Sequence, residues 1–308
     1  GDAYELAMVD LDGNPGLDLI GVEFDGQSDV QWYANDGSGN FAASRFVYNA
    51  GEDPNPIVRG HSLAVADIDG VDGLDVVVAA QGDNAVYWFQ NDGSETFTKQ
   101  TVAAGLPAVR IADVADFDGD GDIDVVAAIK GAATVAWFEN DGSGGFTRHD
   151  IATDVPVVNS VIAVDIDNDL DMDIVSVDQV QEKVRLFLNN GDATSETPPT
   201  FTDITVFDHV ENIDLFSVDA NDIDGDGDID LVASASRESG GRGDVFYYEQ
   251  VSVDSWIKHN VFSGAGGMID VTTGDVNGDG AIDIVAVDQH NDVVYWFEND
   301  FAVDPPSA

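Results

Sequence analysis

The segment Asp116-Phe117-Asp118-Gly119-Asp120-Gly121-Asp122-Ile123-Asp124 puts an aspartate at every odd position and glycines at positions 4 and 6. Carboxylates this close repel, and they raise one another's pKa unless a cation sits among them. All-oxygen donors on a chain that glycine allows to turn sharply suit Ca²⁺, which takes about six to eight oxygens at roughly 2.3–2.6 Å. Positions 1, 3, 5 and 9 ligate through side chains in this reading, and position 7 most simply through its backbone carbonyl. The flanks are not helical. Val109 to Ala115 and Ile123 to Ile129 are apolar and partly β-branched, the composition of strands. The loop therefore belongs at the tip of a β-hairpin.

The same loop occurs six times, starting at Asp10, Asp67, Asp116, Asp165, Asp222 and Asp275, at intervals of 57, 49, 49, 57 and 53 residues. Self-similarity at such a period outranks other sequence evidence about fold. The third loop offers Asp116, Asp118, Asp120 and Asp124, and the fifth repeats it with Asp222, Asp224, Asp226 and Asp230. The fourth keeps Asp165, Asp167, Asp169 and Asp173, with Asn168 at position 4, a residue that tolerates left-handed backbone. The first offers Asp10, Asp12, Asn14 and Asp18, with Pro15 beside the neutral ligand. The sixth offers Asp275, Asn277, Asp279 and Asp283. The second has Asp67, Asp69 and Asp75, but Val71 at position 5 cannot ligate and Asp72 is displaced by one place. Up to six Ca²⁺ sites are expected, the second being the weakest. Aspartate and glycine also dominate metal-free turns, but six loops in one register argue against that origin for the set.

Around each loop the chain follows one scheme. An apolar strand enters the loop (Ser62 to Ala66) and a second leaves it (Val76 to Ala80). A third strand carries aromatics, as in Tyr87-Trp88-Phe89, Ala136-Trp137-Phe138 and Tyr295-Trp296-Phe297. An Asn-Asp-Gly turn at Asn35, Asn91 and Asn140 then gives the hairpin signal, and a fourth strand opens on an aromatic. Four antiparallel strands per ~50 residues, repeated six times, make a β-propeller. The tryptophan stripe is read as packing between blades. Apolar strand, DxDGDGxxD, apolar strand and WFENDGSGxF together resemble the FG-GAP/VCBS repeat family. That resemblance implies the calcium-binding blades of integrin-α-like propellers and of many secreted proteins, with the loop joining the first and second strands of each blade. The expected fold is an all-β, six-bladed β-propeller in a single domain, with blades near 1–58, 59–108, 109–157, 158–212, 213–266 and 267–308. Fourth strands are expected at Phe41 to Tyr48, Phe97 to Val102, Phe146 to Ile151, Phe201 to Phe207 and Trp256 to Phe262. The sixth repeat runs out at Asn299-Asp300-Phe301, so its blade is expected to have three strands, or a stub at Phe301 to Val303. The open edge, Asp292 to Phe297, is apolar and aromatic, a template for self-association unless the Pro305-Pro306 tail covers it.

The net charge is −49, and six divalent ions would offset 12 of those charges. The remainder is a solvated acidic surface, which repels nucleic acid and anionic membranes. No cysteine is present, so no disulfide framework exists, and no apolar run reaches the ~18 residues of a membrane span. The chain opens on Gly1 without a signal peptide, as expected of a mature form or an excised domain. No GxSxG, HExxH or phosphate-binding loop appears. Arg59, Arg110, Lys130, Lys183, Arg237 and Arg242, six of the eleven basic residues, lie in or beside the connections expected opposite the loops, together with His61 and His290. Among these, His61, Arg110, Lys130, Arg237 and His290 are the candidate ligand-binding set, for an anionic ligand such as an acidic polysaccharide. Arg242-Gly243-Asp244 matches an integrin-ligand triplet, a weak signal in a chain rich in Gly and Asp. The expected function is an extracellular or cell-surface calcium-binding adhesion or recognition module for a glycan or a surface protein. A polysaccharide lyase or hydrolase and a structural subunit of an extracellular assembly are the alternatives.

Overall fold

The computed structural model describes residues 3–299 apart from 25, 72, 192, 194–196, 210–211 and 238–241. Asp72, the stub at Phe301 to Val303 and the Pro305-Pro306 tail lie outside the described residues. The chain divides into two compact units, 1–155 and 156–308, each holding three antiparallel sheets.

In the first unit, the first sheet is β1 (Ala3–Val9), β2 (Asp18–Glu23), β3 (Val30–Tyr33) and β4 (Arg45–Tyr48). The second is β5 (Gly60–Ala66), β6 (Asp75–Ala80), β7 (Ala85–Asn91) and β8 (Phe97–Ala104). The third is β9 (Val109–Ala115), β10 (Asp124–Ile129), β11 (Thr134–Asn140) and β12 (Phe146–Ala152). In the second unit, the fourth sheet is β13 (Val158–Val164), β14 (Asp173–Asp178), β15 (Lys183–Asn189) and β16 (Phe201–Asp208). The fifth is β17 (Asp214–Asn221), β18 (Asp230–Arg237), β19 (Arg242–Ser252) and β20 (Ser255–Ala265). The sixth has three strands, β21 (Met268–Gly274), β22 (Asp283–Asp288) and β23 (Val293–Phe297). Strand order follows chain order in every sheet, and the fold is a six-bladed β-propeller without an α-helix among the described residues. Among the described residues no helix is long and apolar enough to cross a membrane.

The burial of each strand follows its composition. β6, β10 and β14 are near-continuous apolar runs, and every residue in them is buried because both faces are covered. β8, β12 and β16 are mostly polar and largely solvent-facing. Consecutive sheets share cores. Ile20, Val22 and Trp32 pack with Val76, Val78 and Phe89, while Val175, Val177 and Leu186 pack with Leu231, Ala233 and Tyr248. Trp32, Trp88 and Trp137 are buried, as expected of packing residues. First and second strands always slip register at the end away from the loop, at Gly60/Ser62, Ala127/Ile129 and Leu215/Ser217 for example. Bulges placed alike in every blade raise the local twist alike. The first fourth strand is shorter than expected: Phe41 makes only an isolated bridge to Asn35, and regular pairing resumes at Arg45. β20 is longer, pairing with β19 as far as Ala265. Among the described residues β23 pairs only with β22, and Val294 and Trp296 on it are exposed.

One amide near the end of each third strand ties the blade together. The backbone N–H of Asn35, Asn91, Asn140, Asn189, Gln250 and Asn299 donates to the aspartate at position 9 of its own loop at 2.7–2.8 Å. The side-chain amide of Asn140 donates to the Ile123 carbonyl at 2.9 Å and, in the preceding blade, to the Ile68 carbonyl at 2.7 Å. Gln250 reaches Ile166 and Asn299 reaches Ile223 in the same way. Asn140→Ala would leave two carbonyls without their donor inside a core. The expected cost is about 1–3 kcal/mol, read as a lower urea midpoint at unchanged slope. An unchanged midpoint would mean that the amide links blades without stabilising them.

Candidate functional site

Each aspartate loop is organised by its last residue. Asp18, Asp75, Asp124, Asp173, Asp230 and Asp283 are fully buried. One oxygen of each accepts the N–H of loop position 2, from Leu11, Ile68, Phe117, Ile166, Ile223 and Val276, at 2.9–3.1 Å. The other accepts the third-strand N–H described above. The carboxylate therefore closes the loop and fixes it to the sheet. Position 1 does the same for the turn. Asp116 accepts from Gly119 and Gly121, and Asp222 accepts from Gly225 and Gly227, at 2.8–3.1 Å. Gly119 and Gly121 take φ of 73° and 96°, which is why glycine stands there. The fourth loop forces Asn168 and Leu170 into the same region, at φ 61° and 79°, and the Leu170 N–H is held by Asp165 at 3.0 Å. Leu170 is a strained, exposed position that composition alone does not reveal.

In five loops, the carboxylates of positions 1, 3 and 9 bring oxygens within 4.8 Å of one another: Asp10/Asp12/Asp18, Asp67/Asp69/Asp75, Asp116/Asp118/Asp124, Asp165/Asp167/Asp173 and Asp222/Asp224/Asp230. Position 5 stands outside these groups. One oxygen each of Asp120, Asp169, Asp226 and Asp279 accepts the N–H of position 7 at 2.9–3.0 Å. In the sixth loop, Asn277 at position 3 donates to Asp279 at 2.9 Å. In the second, Val71 turns its N–H to Asp69 at 3.0 Å, and the Gln90 amide donates to the other Asp69 oxygen.

The electrostatics of these loops are those of crowded acids. Burial pushes Asp75 and Asp230 up to about 6, and Asp124 and Asp173 up to about 7, against backbone hydrogen bonds that pull them down. Asp118, Asp167 and Asp224 are raised by burial and by neighbouring loop aspartates. Asp283 is lowered instead, chiefly by the Asn299 N–H. The donor set fits a hard divalent cation: it is all oxygen, it converges, and it is otherwise self-repelling. A further observation supports the fit. One carboxylate oxygen of Asp167 is buried with no hydrogen-bond partner, a costly state that a cation removes.

Of the candidate ligand residues, His61, Arg110 and Lys130 fall in the first unit and Arg237 and His290 in the second. His61, on β5, is buried, and Arg110, on β9, donates its Nε to His61 Nε2 at 2.9 Å. Burial, then the charges of Arg110 and Lys130, push His61 down to about 3. The Phe24 ring meets His61 edge-on at 5.7 Å, and Arg59 lies over Phe24. His61, Arg110 and Lys130 are thus brought together, with His61 neutral and buried rather than open to solvent. Arg237 is engaged by Asp244 at 2.7 Å, and His290 lies against Gly267. The Arg242-Gly243-Asp244 triplet lies in β19. Asp244 is buried and bonded to Arg237 and Ser263, so its carboxylate is not presented to a partner.

The fold and its aspartate loops define a repeat-built, acidic β-propeller with candidate metal centres. The model of the FG-GAP-like repeat matches residues 72–127, 116–176, 165–233 and 222–286, and the chain belongs to that family. No curated protein matches the chain. Among solved structures, a mutant of puromycin hydrolase complexed with PGG is similar at TM-score 0.56 and 15% identity, over 96% of this chain and 46% of that one. The Dos1 propeller is similar at TM-score 0.59 and 13% identity, over 97% of this chain and 78% of that one. The chain spans less than half the length of the hydrolase, and identities this low carry the fold alone.

The raised carboxylates set a pH dependence for the metal-free protein. With folded pKa values above the ordinary 3.8, the folded chain binds more protons than the unfolded chain between that value and about 7. Their contribution is fully present below pH 3.8 and is lost as pH rises through 7. In EDTA and high salt, which screens surface repulsion, the urea midpoint is expected to fall from pH 4.5 to 7.5. A midpoint that rises over this range would contradict the assignment.

Proposed function

We propose that the chain is a calcium-stabilised extracellular recognition module. The observation that carries the calcium reading is the convergence of three carboxylates within 4.8 Å in five loops of one register. The buried, unpartnered oxygen of Asp167 supports it. Asp116, Asp118 and Asp124 would hold the ion in the third blade, and their counterparts would do so in the others. The bound ion supplies the counter-charge that lets crowded, buried carboxylates stay ionised. FG-GAP-like repeats are typical of extracellular proteins, where free calcium is high, which supports the localisation. A ligand that binds only the native state stabilises it by RT ln(1 + [L]/Kd), about 2.7 kcal/mol per site at a hundredfold excess over Kd. Calcium is expected to raise Tm sharply and EGTA to abolish the rise. Asp118→Ala should cost more of that rise than Asp69→Ala, since Gln90 and Val71 already compromise the second loop. A melting curve indifferent to EGTA would end the calcium reading.

The recognition reading rests on His61, Arg110 and Lys130. Arg110 and Lys130 set two positive charges beside the neutral His61, in a chain whose net charge is −49. An anionic ligand, with an acidic glycan as the class proposed, would gain from both cations. Arg110→Ala and Lys130→Ala should weaken binding to acidic oligosaccharides on a glycan array while leaving Tm in place. Equal binding of neutral sugars, or no effect of either substitution, would overturn it.

A further inference from the structure

We infer that, where the third-strand residue just before the amide latch is polar, it tunes the cation centre of its blade, an acid there adding a carboxylate to the centre and a glutamine closing it. The inference rests on the calcium reading above. The residue in question is Glu139 in the third blade, Glu249 in the fifth, Glu298 in the sixth and Gln90 in the second, each one place before Asn140, Gln250, Asn299 and Asn91; the first and fourth blades have the apolar Ala34 and Leu188 there.

The side chain at this place reaches position 3 of the loop. Gln90 donates its amide to Asp69, and Glu298 accepts from Asn277 at 3.2 Å. Asp118 and Asp224, raised first by burial, also feel Glu139 and Glu249. In the third and fifth blades the acid is fixed from behind. His149 contacts Glu139 at 2.7 Å and lies flat on Trp137, with ring centroids 4.6 Å apart. His259 contacts Glu249 at 2.7 Å and lies flat on Tyr247, at 5.0 Å. One oxygen of each glutamate is thereby tied down. A histidine that holds a ligating carboxylate in this way is a positioning residue of the kind that tunes metal affinity 10–100-fold.

The second blade alters every part of this arrangement at once. Gln90 stands where Glu139 does, and Gln100 stands opposite Trp88 where His149 stands opposite Trp137. Val71 stands at position 5. Asp69, Val71, Trp88, Gln90 and Gln100 line one open cavity of about 330 Å³. An amide hydrogen donated to Asp69 satisfies the carboxylate without a cation. The Glu–His pair thus accompanies the third and fifth loops and the Gln–Gln pair the second, while the fourth loop, complete in aspartates, carries Leu188 at this place.

Equilibrium dialysis of the whole chain against calcium buffered at low free concentration reads the number of ions held. Glu139→Gln with Glu249→Gln keeps shape and a hydrogen bond to each histidine, and should remove two of the tightest ions, each weakened 10–100-fold. His149→Gln should weaken the third centre alone. Gln90→Glu with Val71→Asp should add one ion to the wild-type count, in protein whose circular dichroism is unchanged. Unchanged counts in the glutamate and glutamine variants, with the wild type still binding calcium, would overturn the inference and leave the calcium reading standing. A wild type that holds no calcium would overturn both.

Discussion

A buried carboxylate that accepts two backbone N–H groups is the constraint on which each blade depends. Asp124 closes its loop through Phe117 and fixes it to the sheet through Asn140, with both oxygens used and no exposure to water. Hydrogen bonds of this kind favour the ionised form, and burial opposes it. Burial is the larger effect at Asp75, Asp124, Asp173 and Asp230, so in the absence of a counter-charge the fold shifts them toward the protonated form. The same geometry that makes these groups structural makes them receptive to a cation. Loop closure and the capacity to hold a cation are therefore two aspects of one arrangement.

Repetition multiplies that arrangement without making it uniform. The Asn140 and Asn299 side chains each span from their own loop to the preceding blade, so loop order is transmitted between neighbouring sheets within a unit. Gln250 keeps the link with a longer arm and loses the bond to its own loop's position 8 carbonyl. Leu170 adopts a glycine-like conformation because Asp165 holds its N–H there, an instance of side-chain hydrogen bonding overriding local preference. Such differences make six similar loops unequal as candidate metal centres.

The basic groups follow a separate logic. Arg110 packs its guanidinium against a histidine that burial keeps neutral, while Arg237 is neutralised by a fully buried Asp244. Both are arginines near strand ends, and nothing in their local sequence separates them. The difference is whether folding brings a carboxylate or an imidazole alongside.

The sequence by itself determined the repeat, the strands, the blade count, the three-stranded last sheet and the aspartate loops, though of the ligands it named only positions 1, 3 and 9 of five loops converge among the described residues. Periodic spacing and alternating apolar patterns are local properties, written in residues a few places apart. Tertiary structure decided what depends on residues far apart in the chain. It buried His61, withdrew Asp244 of the Arg-Gly-Asp triplet into β19, and set Gln90 against Asp69 across 21 positions. It also turned Asn140 into a link to Ile68, 72 positions away. A side chain's partner across a sheet is fixed by register and bulges, which arise only when all strands are paired, so no local motif could have announced these contacts.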